Sequence, residues 1–394
     1  MKILIIDDQE LVVLSLYKCL TDLGYQVESS NNVFGAIKKY DEFEPDLVIV
    51  DINMPVLEID SQKNDTTNIN EKASGLEIVK YIKKIKRHAT PVMILSGNNE
   101  EEIIVKGFEL GAEDYLKKPL SLSEIGIRVG KLLGTQTDFT VTDRARNRNI
   151  QSTCVGVVIP CYNEENRLAV TEFKTFIHQN LGYHLCFVND GSKDNTLGVL
   201  EEIRKSNEDR VSIYNCEKNV GKAEAVRQGM LHLAKENQFD YIGFLDADLA
   251  TNFEDFDELV QTINNSSYKI VSGSRISRMG AAIQKESARK IISKSINLII
   301  RKVLQMDFND TQCGAKIMSK EIVEKTFQKK FLTKWLFDVE IFMRMKKVYG
   351  SEKAKTLICE KPLNRWMHVD GSKLSLKDSM KIVGQIGQIV LHYR

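Results

Sequence analysis

The chain has 394 residues, which suggests two or three compact domains at about 150 residues per domain. With 42% hydrophobic and 28% charged residues, the composition excludes a disordered, collagenous or low-complexity chain. The formal charge of +1 gives no global argument for nucleic-acid binding. The charge is uneven, because residues 1–135 hold 16 basic and 22 acidic side chains, whereas the remainder holds 39 and 32. We expect an acidic module joined to a basic one.

Seven scattered cysteines form no C-x-x-C pair, so they indicate neither a zinc site nor a disulfide framework, and a reducing compartment is expected. The N-terminal sequence MKILIIDDQE has an apolar run too short for a signal peptide. Every longer apolar stretch is interrupted by Lys or Arg well before the roughly 20 residues that a spanning helix needs. These features predict a cytoplasmic protein that does not cross a membrane.

Residues 2–133 alternate short apolar runs with amphipathic stretches of helical period, which predicts five strand–helix units. The predicted strands are KILIID, QVESS, DLVIVDI, PVMILSG and DYLKKP, and the predicted helices cover 9–23, 32–42, 75–87, 100–110 and 121–133. This alternation favours a parallel sheet with helices on both faces, and it puts the functional site at the carboxyl ends of the strands.

Charged side chains follow the predicted strands of this first series. Asp7 and Asp8 end the first strand, Asp51 ends the third, and Ser96 and Lys118 end the fourth and fifth. Three carboxylates in one crevice repel one another unless a divalent cation bridges them, and Mg2+ suits carboxylate, water and phosphate ligands. The arrangement predicts phosphoryl acceptance by Asp51, with Ser96 and Lys118 contacting the phosphoryl oxygens.

The motifs IIDDQE, VDINMP, ILSG and DYLKKP resemble the receiver domain of two-component response regulators, over about a third of the chain. The resemblance implies a flavodoxin-like (βα)5 fold and a sensor histidine kinase or phosphotransfer protein as partner. A receiver-mediated dimer is a further expectation. Asp51 would be the phosphoacceptor, and Mg2+ would be held by Asp7, Asp8, Asp51 and the carbonyl of Asn53.

By the same resemblance, Ser96 and Tyr115 form the switch pair, and Lys118 contacts the phosphate. One departure from the family pattern is an insert over 56–74, which delays the expected Gly75–Leu76 pair. We expect this insert to be a loop beside the crevice that alters the phosphate lifetime. The alternative interpretation of this domain is a degenerate receiver that serves only for docking.

Residues 135–152 are polar and lose the periodicity, so we predict a linker between a receiver domain at 1–134 and a second domain at 153–394. A second alternating series then begins at CVGVVIP and continues through YHLCFVND, VSIYNC, DYIGFLDAD and YKIVSGS. This pattern predicts a second α/β domain, with polar residues again collected at strand ends.

The fourth strand of the second series ends in Asp246 and Asp248. These side chains share one face of an extended strand, about 7 Å apart, and can bind a divalent ion. Gly221 allows the backbone to approach a ligand closely, and Lys222 can meet a phosphate. The chemistry that suits these groups is displacement of a nucleoside diphosphate from a sugar, with a metal stabilising the leaving diphosphate.

The motifs VVIPCYNEE, VNDGSKDNT, NVGKAEAV and FLDADLAT resemble the inverting family 2 glycosyltransferases with the GT-A fold. The motifs SGSR, DTQCGAKIMS, LFDVEIF and VDGSKLSLKDSMKI resemble more narrowly the polyprenyl-phosphate glycosyltransferases, particularly the dolichyl-phosphate glucosyltransferases. The resemblance spans about 154–385. It implies a nucleotide-sugar donor similar to UDP-glucose, a polyprenyl-phosphate acceptor, and Mg2+ or Mn2+ as the cofactor.

The resemblance also assigns residues to roles. Lys222 would lie near the diphosphate, Asp246 would contact the ribose or the metal, and Asp248 would ligate the metal. Arg275 and the Gln312–Cys313 region would line the sugar and acceptor side. The nucleoside would be held by Pro160, Tyr162, Glu164 and Asp190.

Asp338 and Glu340 stand where other family 2 enzymes carry a general base. An ionised lipid phosphate needs little proton abstraction, so these carboxylates would instead orient the sugar or Arg275. The alternative is a carboxylate pair at a helix terminus that faces solvent.

The segment 285–306 separates isoleucines from lysines and arginines at helical spacing, which is typical of a basic amphipathic helix on an anionic membrane. An ordinary helix packed on the core is the alternative. The final helix at 375–393 would be a second membrane contact. These patterns predict peripheral attachment at the inner face of the membrane.

Together the motifs predict a metal-dependent, inverting glycosyltransferase regulated by phosphorylation in a two-component phosphorelay. Two other hypotheses stay open. One is a signalling adaptor that senses a nucleotide sugar without turnover, and the other is the same enzyme acting on a soluble glycan or protein. No nucleic-acid partner is expected.

Overall fold

The computed structural model describes residues 1–54, 75–97, 101–135, 149–205, 207–276, 282–283, 297–366 and 376–393. The chain divides into two compact units, one of Met1–Cys154 with His178–Gly182 and one of Val155–Ile177 with Tyr183–Arg394. Three expectations fall outside the described residues in whole or in part: the loop at 56–74, the central part of the linker, and most of the segment at 285–306.

The first unit contains the five strand–helix units that the sequence predicts. Its strands form a sheet in the order β2-β1-β3-β4-β5, and every pair of neighbours is parallel. The strands are β1 (Lys2–Ile6), β2 (Gln26–Ser30), β3 (Leu47–Asp51), β4 (Val92–Ser96) and β5 (Asp114–Lys117). The helices are α1 (Glu10–Asp22), α2 (Val33–Phe43), α3 (Gly75–Lys80), α4 (Glu101–Leu110) and α5 (Leu122–Leu133), and a π-helical turn over Tyr81–Ile85 prolongs α3.

The central strands of this sheet are buried on both faces, which is why their sequences are continuously apolar. The register pairs Ile6 of β1 with Val50 of β3. Because the strands are parallel, the next residues along the chain, Asp7 and Asp51, come to adjacent positions at the carboxyl edge. The local alignment of two strands therefore brings together carboxylates that are 44 residues apart in sequence.

The second unit is built on a mixed sheet. The strands along its main path are β7 (Asn149–Cys161), β8 (Asn180–Asn189), β9 (Val211–Asn215), β10 (Tyr241–Leu245), β11 (Ile270–Ser274), β13 (Ala315–Ser319) and β14 (Ile358–Pro362). They follow the order β14-β11-β13-β10-β7-β8-β9. The strand β13 is antiparallel to both of its neighbours, β10 and β11. Each of the two domains thus has the α/β class that the sequence predicts.

Two short strands complete the description of the sheets. The strand β6 (Leu120–Ser121) pairs with the first residues of β7 inside the first unit. The strand β12 (Ala282–Ile283) pairs in parallel with β15 (Arg365–Trp366). These pairings were not predicted from the sequence.

The helices of the second unit alternate with its strands in the first half of the sheet. They are α6 (Val170–Gln179), α7 (Thr196–Lys205), α8 (Lys222–Ala234), α9 (Phe253–Asn264), α10 (297–304), α11 (Lys320–Thr326), α12 (Phe337–Tyr349), α13 (Ser351–Thr356) and α14 (Leu376–Tyr393). Within the described ranges, none of the helices combines the length and the apolar character needed to cross a bilayer.

An aromatic cluster forms part of the core of the second unit. The ring of Phe173 on α6 is fully buried, and its centroid lies 5.2 Å from that of Phe187 on β8 and 5.4 Å from that of Phe253 on α9. Both contacts have edge-to-face geometry, which aromatic quadrupoles favour. One side chain therefore joins two helices to the sheet.

Replacing Phe173 by alanine is expected to lower the free energy of unfolding of the second unit by about 3–5 kcal/mol, because it leaves a large cavity. Denaturant unfolding followed by tryptophan fluorescence measures this unit alone, since both tryptophans, Trp335 and Trp366, belong to it. The exposed Phe34→Ala variant of the first unit is the matched control and should leave the fluorescence transition unchanged. Equal midpoints for the two variants would contradict the assignment of Phe173 to the core.

Candidate functional site

The first site lies at the carboxyl edge of the parallel sheet. The Nζ atom of Lys118, just after β5, donates hydrogen bonds to Oδ2 of Asp7 at 2.8 Å and to Oδ2 of Asp51 at 2.9 Å. All three side chains are nearly inaccessible to solvent. The sheet therefore holds two carboxylates on one buried ammonium group.

Burial raises the pKa of Asp7 to about 7, and the charge of Asp51 adds to this effect while Lys118 opposes it. Burial by itself lowers the pKa of Lys118, but its two carboxylate partners outweigh that effect and the pKa is raised. Negative charge is in excess, since Asp8 stands beside the pair. Oxygen atoms of Asp7, Asp8 and Asp51 lie within 4.8 Å of one another and could hold a metal ion. A set of hard carboxylate oxygens fits Mg2+.

The remaining residues predicted for this site also converge on it. The backbone N–H of Asn53 donates to Oδ1 of Asp51 at 3.1 Å, and its side chain lies 3.4 Å from Oγ of Ser96. The hydroxyl of Tyr115 shares a hydrogen bond with the buried Ser96 side chain, and burial raises the pKa of Tyr115. The structure thus brings all the sequence-predicted residues of the first site into one crevice.

Gly75 has a role that the sequence analysis did not identify. A Cβ atom at this position would lie 2.0 Å from the backbone oxygen of Asp51, so only glycine fits. The Gly75 N–H donates to the carbonyl of Ile52 at 3.2 Å. This contact holds the start of α3 against the end of β3, at the backbone of Asp51.

The second site also lies at strand ends, where two turns of the second unit are hydrogen-bonded together. The N–H of Asn163, after β7, donates to Oγ of Ser192 at 3.1 Å, and its Oδ1 accepts from the N–H of Lys193 at 2.9 Å. Asn163 has a φ of 54°, a left-handed conformation that asparagine tolerates. These bonds fix the segment that carries three partly exposed side chains predicted to hold a nucleoside: Pro160, Tyr162 and Glu164.

Asp190, also predicted to bind the nucleoside, holds the glycine loop before α8. Its two carboxylate oxygens accept from the N–H groups of Val220 at 2.7 Å and Gly221 at 2.9 Å. Burial raises its pKa, and the two hydrogen bonds partly offset that effect. Gly191 makes the approach between the turn and the loop feasible, since a Cβ there would lie 2.4 Å from the N atom of Asn219. Sequence reasoning missed this anchoring contact.

The predicted metal pair meets the predicted phosphate lysine. The half-exposed Lys222, first residue of α8, places Nζ 2.5 Å from Oδ1 of Asp246. Gly314 allows Asp246 to take this position, because a Cβ at residue 314 would lie 2.0 Å from its carboxylate. Oδ1 of Asp248 accepts a hydrogen bond from the N–H of Ala250 at 3.0 Å. The residue between them, Leu249, has a left-handed backbone conformation with a φ of 49°. Two hard carboxylates at one strand end fit a divalent cation such as Mg2+ or Mn2+.

A buried ion pair that the sequence analysis missed lies in the same region. Lys316 on β13 is fully buried, and its Nζ lies 2.7 Å from Oδ1 of Asp338 and 2.6 Å from the carbonyl oxygen of Cys313. Burial raises the pKa of Asp338, Lys316 and Lys222 oppose this, and Asp246 adds to it. The available signal was a charged residue in the middle of the apolar strand AKIMS.

The interpretation of Asp338 and Glu340 as a pair facing solvent is wrong. Asp338 is 5% exposed and Glu340 is completely buried, because α12 is enclosed along its first half. Glu340 accepts hydrogen bonds from the N–H and the hydroxyl of Thr333, both at 2.8 Å, and from the N–H of Leu332 at 2.9 Å. Glu340 therefore supports a loop, and of the two carboxylates only Asp338 belongs to the charged cluster.

Arg275 is oriented by Asp310 rather than by Asp338 or Glu340. Its Nε and Nη2 atoms donate to Oδ2 and Oδ1 of Asp310 at 2.6 and 2.8 Å, and this pairing raises the arginine pKa. Glu360 on β14 in turn accepts from the N–H of Asp310 at 2.7 Å and from Oγ of Ser274 at 2.7 Å. Asp310 and Glu360 reach Arg275 because β11 pairs with β13 and β14, which joins segments distant in sequence, and an orienting role of Asp338 toward the sugar stays a prediction.

The Gln312–Cys313 region is only partly open. Gln312 is partly exposed, but Cys313 is fully buried, and burial raises the pKa of its thiol. A Cβ at Gly273 would lie 3.0 Å from its Sγ atom. The thiol therefore packs against the sheet, and the expectation that Cys313 lines the acceptor side is wrong for its side chain.

The described part of the predicted amphipathic segment, α10, has apolar side chains on more than one side. Ile300 and Leu304 are buried, whereas Leu298 is 57% exposed. In the final helix, α14, Ile386 and Ile389 are buried. Leu391 of the same helix is 80% exposed, so its described apolar side chains are divided between buried and exposed positions, and the role of α14 as a membrane contact stays a prediction.

Comparisons with known proteins identify the two domains that carry these sites. The family model for the response regulator receiver domain matches residues 3–129, and the model for glycosyl transferase family 2 matches residues 156–327. A dolichyl-phosphate beta-glucosyltransferase of Drosophila melanogaster is 32% identical over 236 residues, which cover 56% of this chain and 69% of the relative. The corresponding Saccharomyces cerevisiae protein is 31% identical over 263 residues, covering 61% and 75%.

Among solved structures, glucosyl-3-phosphoglycerate synthase from Mycobacterium tuberculosis is similar over 61% of this chain and 80% of that chain, with 16% identity and a TM-score of 0.46. The curated relatives are above 30% identity and are covered over more than two thirds of their length. The chain therefore belongs to glycosyl transferase family 2, alongside the dolichyl-phosphate beta-glucosyltransferases, and it carries a response regulator receiver domain before its transferase domain.

Proposed function

We propose that the protein transfers a sugar from a nucleotide donor, of the UDP-glucose type, to polyprenyl phosphate with inversion, under the control of phosphorylation at Asp51. The observation that carries the transferase proposal is the contact between Lys222 and Asp246, with Asp338 coupled to both. The Lys222 ammonium group thus lies near three carboxylates, those of Asp246 and Asp248 just after β10 and that of Asp338 in the first turn of α12. The printed names of the relatives, dolichyl-phosphate beta-glucosyltransferases, support a glucosyl donor and a polyprenyl-phosphate acceptor.

The residues of the second site have separate roles in the reaction. The glycine loop, whose Val220 and Gly221 N–H groups are bound by Asp190, holds Lys222 where its ammonium group can meet the donor diphosphate. A divalent cation on Asp246 and Asp248 would offset the charge that develops on the leaving diphosphate. Lys222 moves from Asp246 to the diphosphate oxygens as the donor binds. Lys316 holds the buried Asp338 carboxylate in place, near enough to Lys222 and Asp246 for their charges to interact.

The acceptor is bound by the guanidinium of Arg275. Because Nε and Nη2 are already engaged by Asp310, the plane of the guanidinium is fixed before the acceptor arrives. An ionised phosphate oxygen then attacks the anomeric carbon directly, and the nucleoside diphosphate leaves from the opposite face. Because this nucleophile carries no proton to be removed, the site needs no general base.

Regulation starts in the first site, for which we propose the boundaries 1–134, with a linker at 135–152 and the transferase at 153–394. A phosphoryl group on Asp51 would meet Lys118 and Ser96, and the Tyr115 hydroxyl, already bonded to Ser96, would follow it. The receiver domain then has two conformations that present different surfaces, and phosphorylation shifts the population from one conformation to the other. The phosphodonor is a sensor histidine kinase or a phosphotransfer protein.

Changing Asp248 to asparagine is expected to lower nucleoside diphosphate release by about a hundredfold or more and to abolish its dependence on Mg2+ or Mn2+. The assay contains UDP-glucose and a short-chain polyprenyl phosphate, with released diphosphate as the readout. Glu208→Gln, an exposed carboxylate in the same unit, is the matched control and should keep full activity. Undiminished, metal-stimulated turnover of Asp248→Asn would rule out the proposed metal site.

Changing Glu360 to glutamine, or Asp310 to asparagine, should raise the KM for the acceptor about tenfold while the KM for the donor stays constant. The reason is that each variant weakens a charge-assisted hydrogen bond, either between Asp310 and Arg275 or between Glu360 and Asp310, so the orientation of Arg275 is less well defined. Steady-state kinetics with each substrate varied in turn separate this effect from a general loss of structure. Glu352→Gln, at an exposed carboxylate on α13, is the control. Equal changes in both KM values would contradict a positioning role.

Changing Asp51 to asparagine should abolish Mg2+-dependent phosphorylation by acetyl phosphate, as seen on a phosphate-affinity gel, because the nucleophilic oxygen is lost. The exposed Asp22→Asn variant should be phosphorylated like the unmodified chain. Transfer rates are then compared with and without beryllofluoride. A rate that responds in the unmodified chain and not in Asp51→Asn supports regulation; identical rates throughout would exclude it.

A further inference from the structure

A surface loop of the second unit combines exposed apolar and basic side chains. Residues 328–335, with the sequence QKKFLTKW, connect α11 to α12 and are called the basic–aromatic loop below. Leu332 is 44% exposed and Trp335 is 48% exposed. Three further side chains of the loop are exposed cations: Lys329, Lys330 and Lys334. Large apolar side chains that are exposed beside several positively charged side chains indicate an interaction surface.

The basic–aromatic loop is held rigidly from below by two charged side chains of α12. Glu340 binds the N–H groups of Leu332 and Thr333. Arg344 donates from Nη1 to the carbonyl of Lys329 at 2.7 Å and from Nη2 to that of Lys330 at 2.7 Å. The polar groups of the loop backbone thus point inward.

Two further contacts complete this support. Nη1 of Arg227 on α8 donates to the carbonyls of Phe327 at 3.2 Å and Gln328 at 3.1 Å. The Arg344 guanidinium also lies 4.3 Å from the centre of the Phe331 ring. The exposed side chains are therefore presented by an ordered backbone, so a partner need not supply the free energy of ordering the loop.

The basic–aromatic loop leads directly into the charged cluster. Trp335 lies three residues before Asp338, and its carbonyl is 3.5 Å from Nε2 of Gln312. Arg227, which supports the loop, belongs to the helix that begins with Lys222. The loop is therefore joined, through Trp335 and Gln312 and through α8, to the elements that carry the charged cluster.

The charged side chains of the basic–aromatic loop itself are all positive. No acidic residue occurs between Lys325 and Phe337 in the sequence. Glu224 on α8 is close enough to Lys330 for their charges to interact, but its carboxylate is bound by Arg227 at 2.7 Å and by Gln228 at 3.0 Å. The lysines of the loop thus remain available to an anionic partner.

We propose that the basic–aromatic loop docks on the surface of an anionic lipid bilayer, which delivers polyprenyl phosphate to the second site. This inference rests on the proposed function, because it names how the acceptor is reached. Tryptophan is favoured at the level of lipid headgroups, Leu332 enters the acyl boundary, and the lysines pair with anionic headgroups. The two exposed apolar side chains alternate along the loop with exposed lysines, which favours an anionic lipid surface over an apolar peptide.

Binding to vesicles of phosphatidylcholine with 30 mol% phosphatidylglycerol tests the proposal directly. Replacing the three lysines by glutamine should weaken binding about a hundredfold, since each lysine near an anionic surface contributes about fivefold. Changing both Leu332 and Trp335 to serine should weaken it at least tenfold. The matched control replaces three exposed lysines on the last part of α12 and on α13, namely Lys347, Lys353 and Lys355, and should bind as the unmodified chain does.

A spectroscopic readout identifies the loop itself. In a Trp366→Phe background, Trp335 is the single tryptophan, and its emission should shift to shorter wavelength with anionic vesicles and not with pure phosphatidylcholine. Thermal unfolding of each variant checks that the fold is intact. Unchanged emission, or equal vesicle binding by the loop and control variants, would overturn the proposal.

Transfer to a water-soluble, short-chain polyprenyl phosphate separates the two proposals. Loop variants should keep this activity while losing transfer to long-chain acceptor embedded in vesicles. If the unmodified chain transfers sugar to the soluble acceptor but the loop variants bind vesicles normally, the docking proposal fails and the function stands. If Trp335 inserts into vesicles but no acceptor is glycosylated, the proposed function fails and the docking surface stands.

Discussion

Both sites depend on carboxylates that the carboxyl ends of strands force together, each balanced by a lysine ammonium group. In the first unit Lys118 lies between Asp7 and Asp51, and in the second Lys222 lies against Asp246 after β10, while the buried Lys316 is bound to Asp338 on α12. Such groups are costly to bury singly, and removing one partner of a buried pair typically costs about 3–5 kcal/mol. The lysines thus make the two clusters compatible with a folded chain while leaving negative charge in excess. That excess is the physical basis for expecting cations and phosphoryl groups at both places.

Close packing of the backbone is the second requirement, and glycine meets it in both units. Asp51 sits where the start of α3 approaches β3, at Gly75, and Asp246 sits against Gly314 of the segment that leads into β13. In each case a single methyl group would overlap the carboxylate or its backbone. The position of each acidic residue therefore depends on a glycine from another part of the chain, because the space beside it is too small for a Cβ atom.

Several acidic residues of the second unit hold its loops in place. Asp190 binds the glycine loop, Glu340 binds the basic–aromatic loop, and Glu360 binds the segment that presents Asp310. Each carboxylate accepts backbone N–H groups that no strand or helix satisfies, so each replaces lost hydrogen bonds at a turn. This support makes the loops ordered enough to hold Arg275 and Lys222 in place. It also accounts for why an acidic residue in a motif is weak grounds for a catalytic role.

The sequence by itself determined the class of both domains and the candidate residues of the first site, because continuous apolar runs and helical periodicity locate strand ends and a parallel sheet aligns those ends. It also located Asp246, Asp248 and Lys222. Only the tertiary structure decided that Asp310 orients Arg275, that Lys316 pairs with Asp338, and that Cys313 and Glu340 are enclosed. The reason is that β13 runs antiparallel between β10 and β11, and such pairing joins residues whose separation along the chain carries no periodic signal.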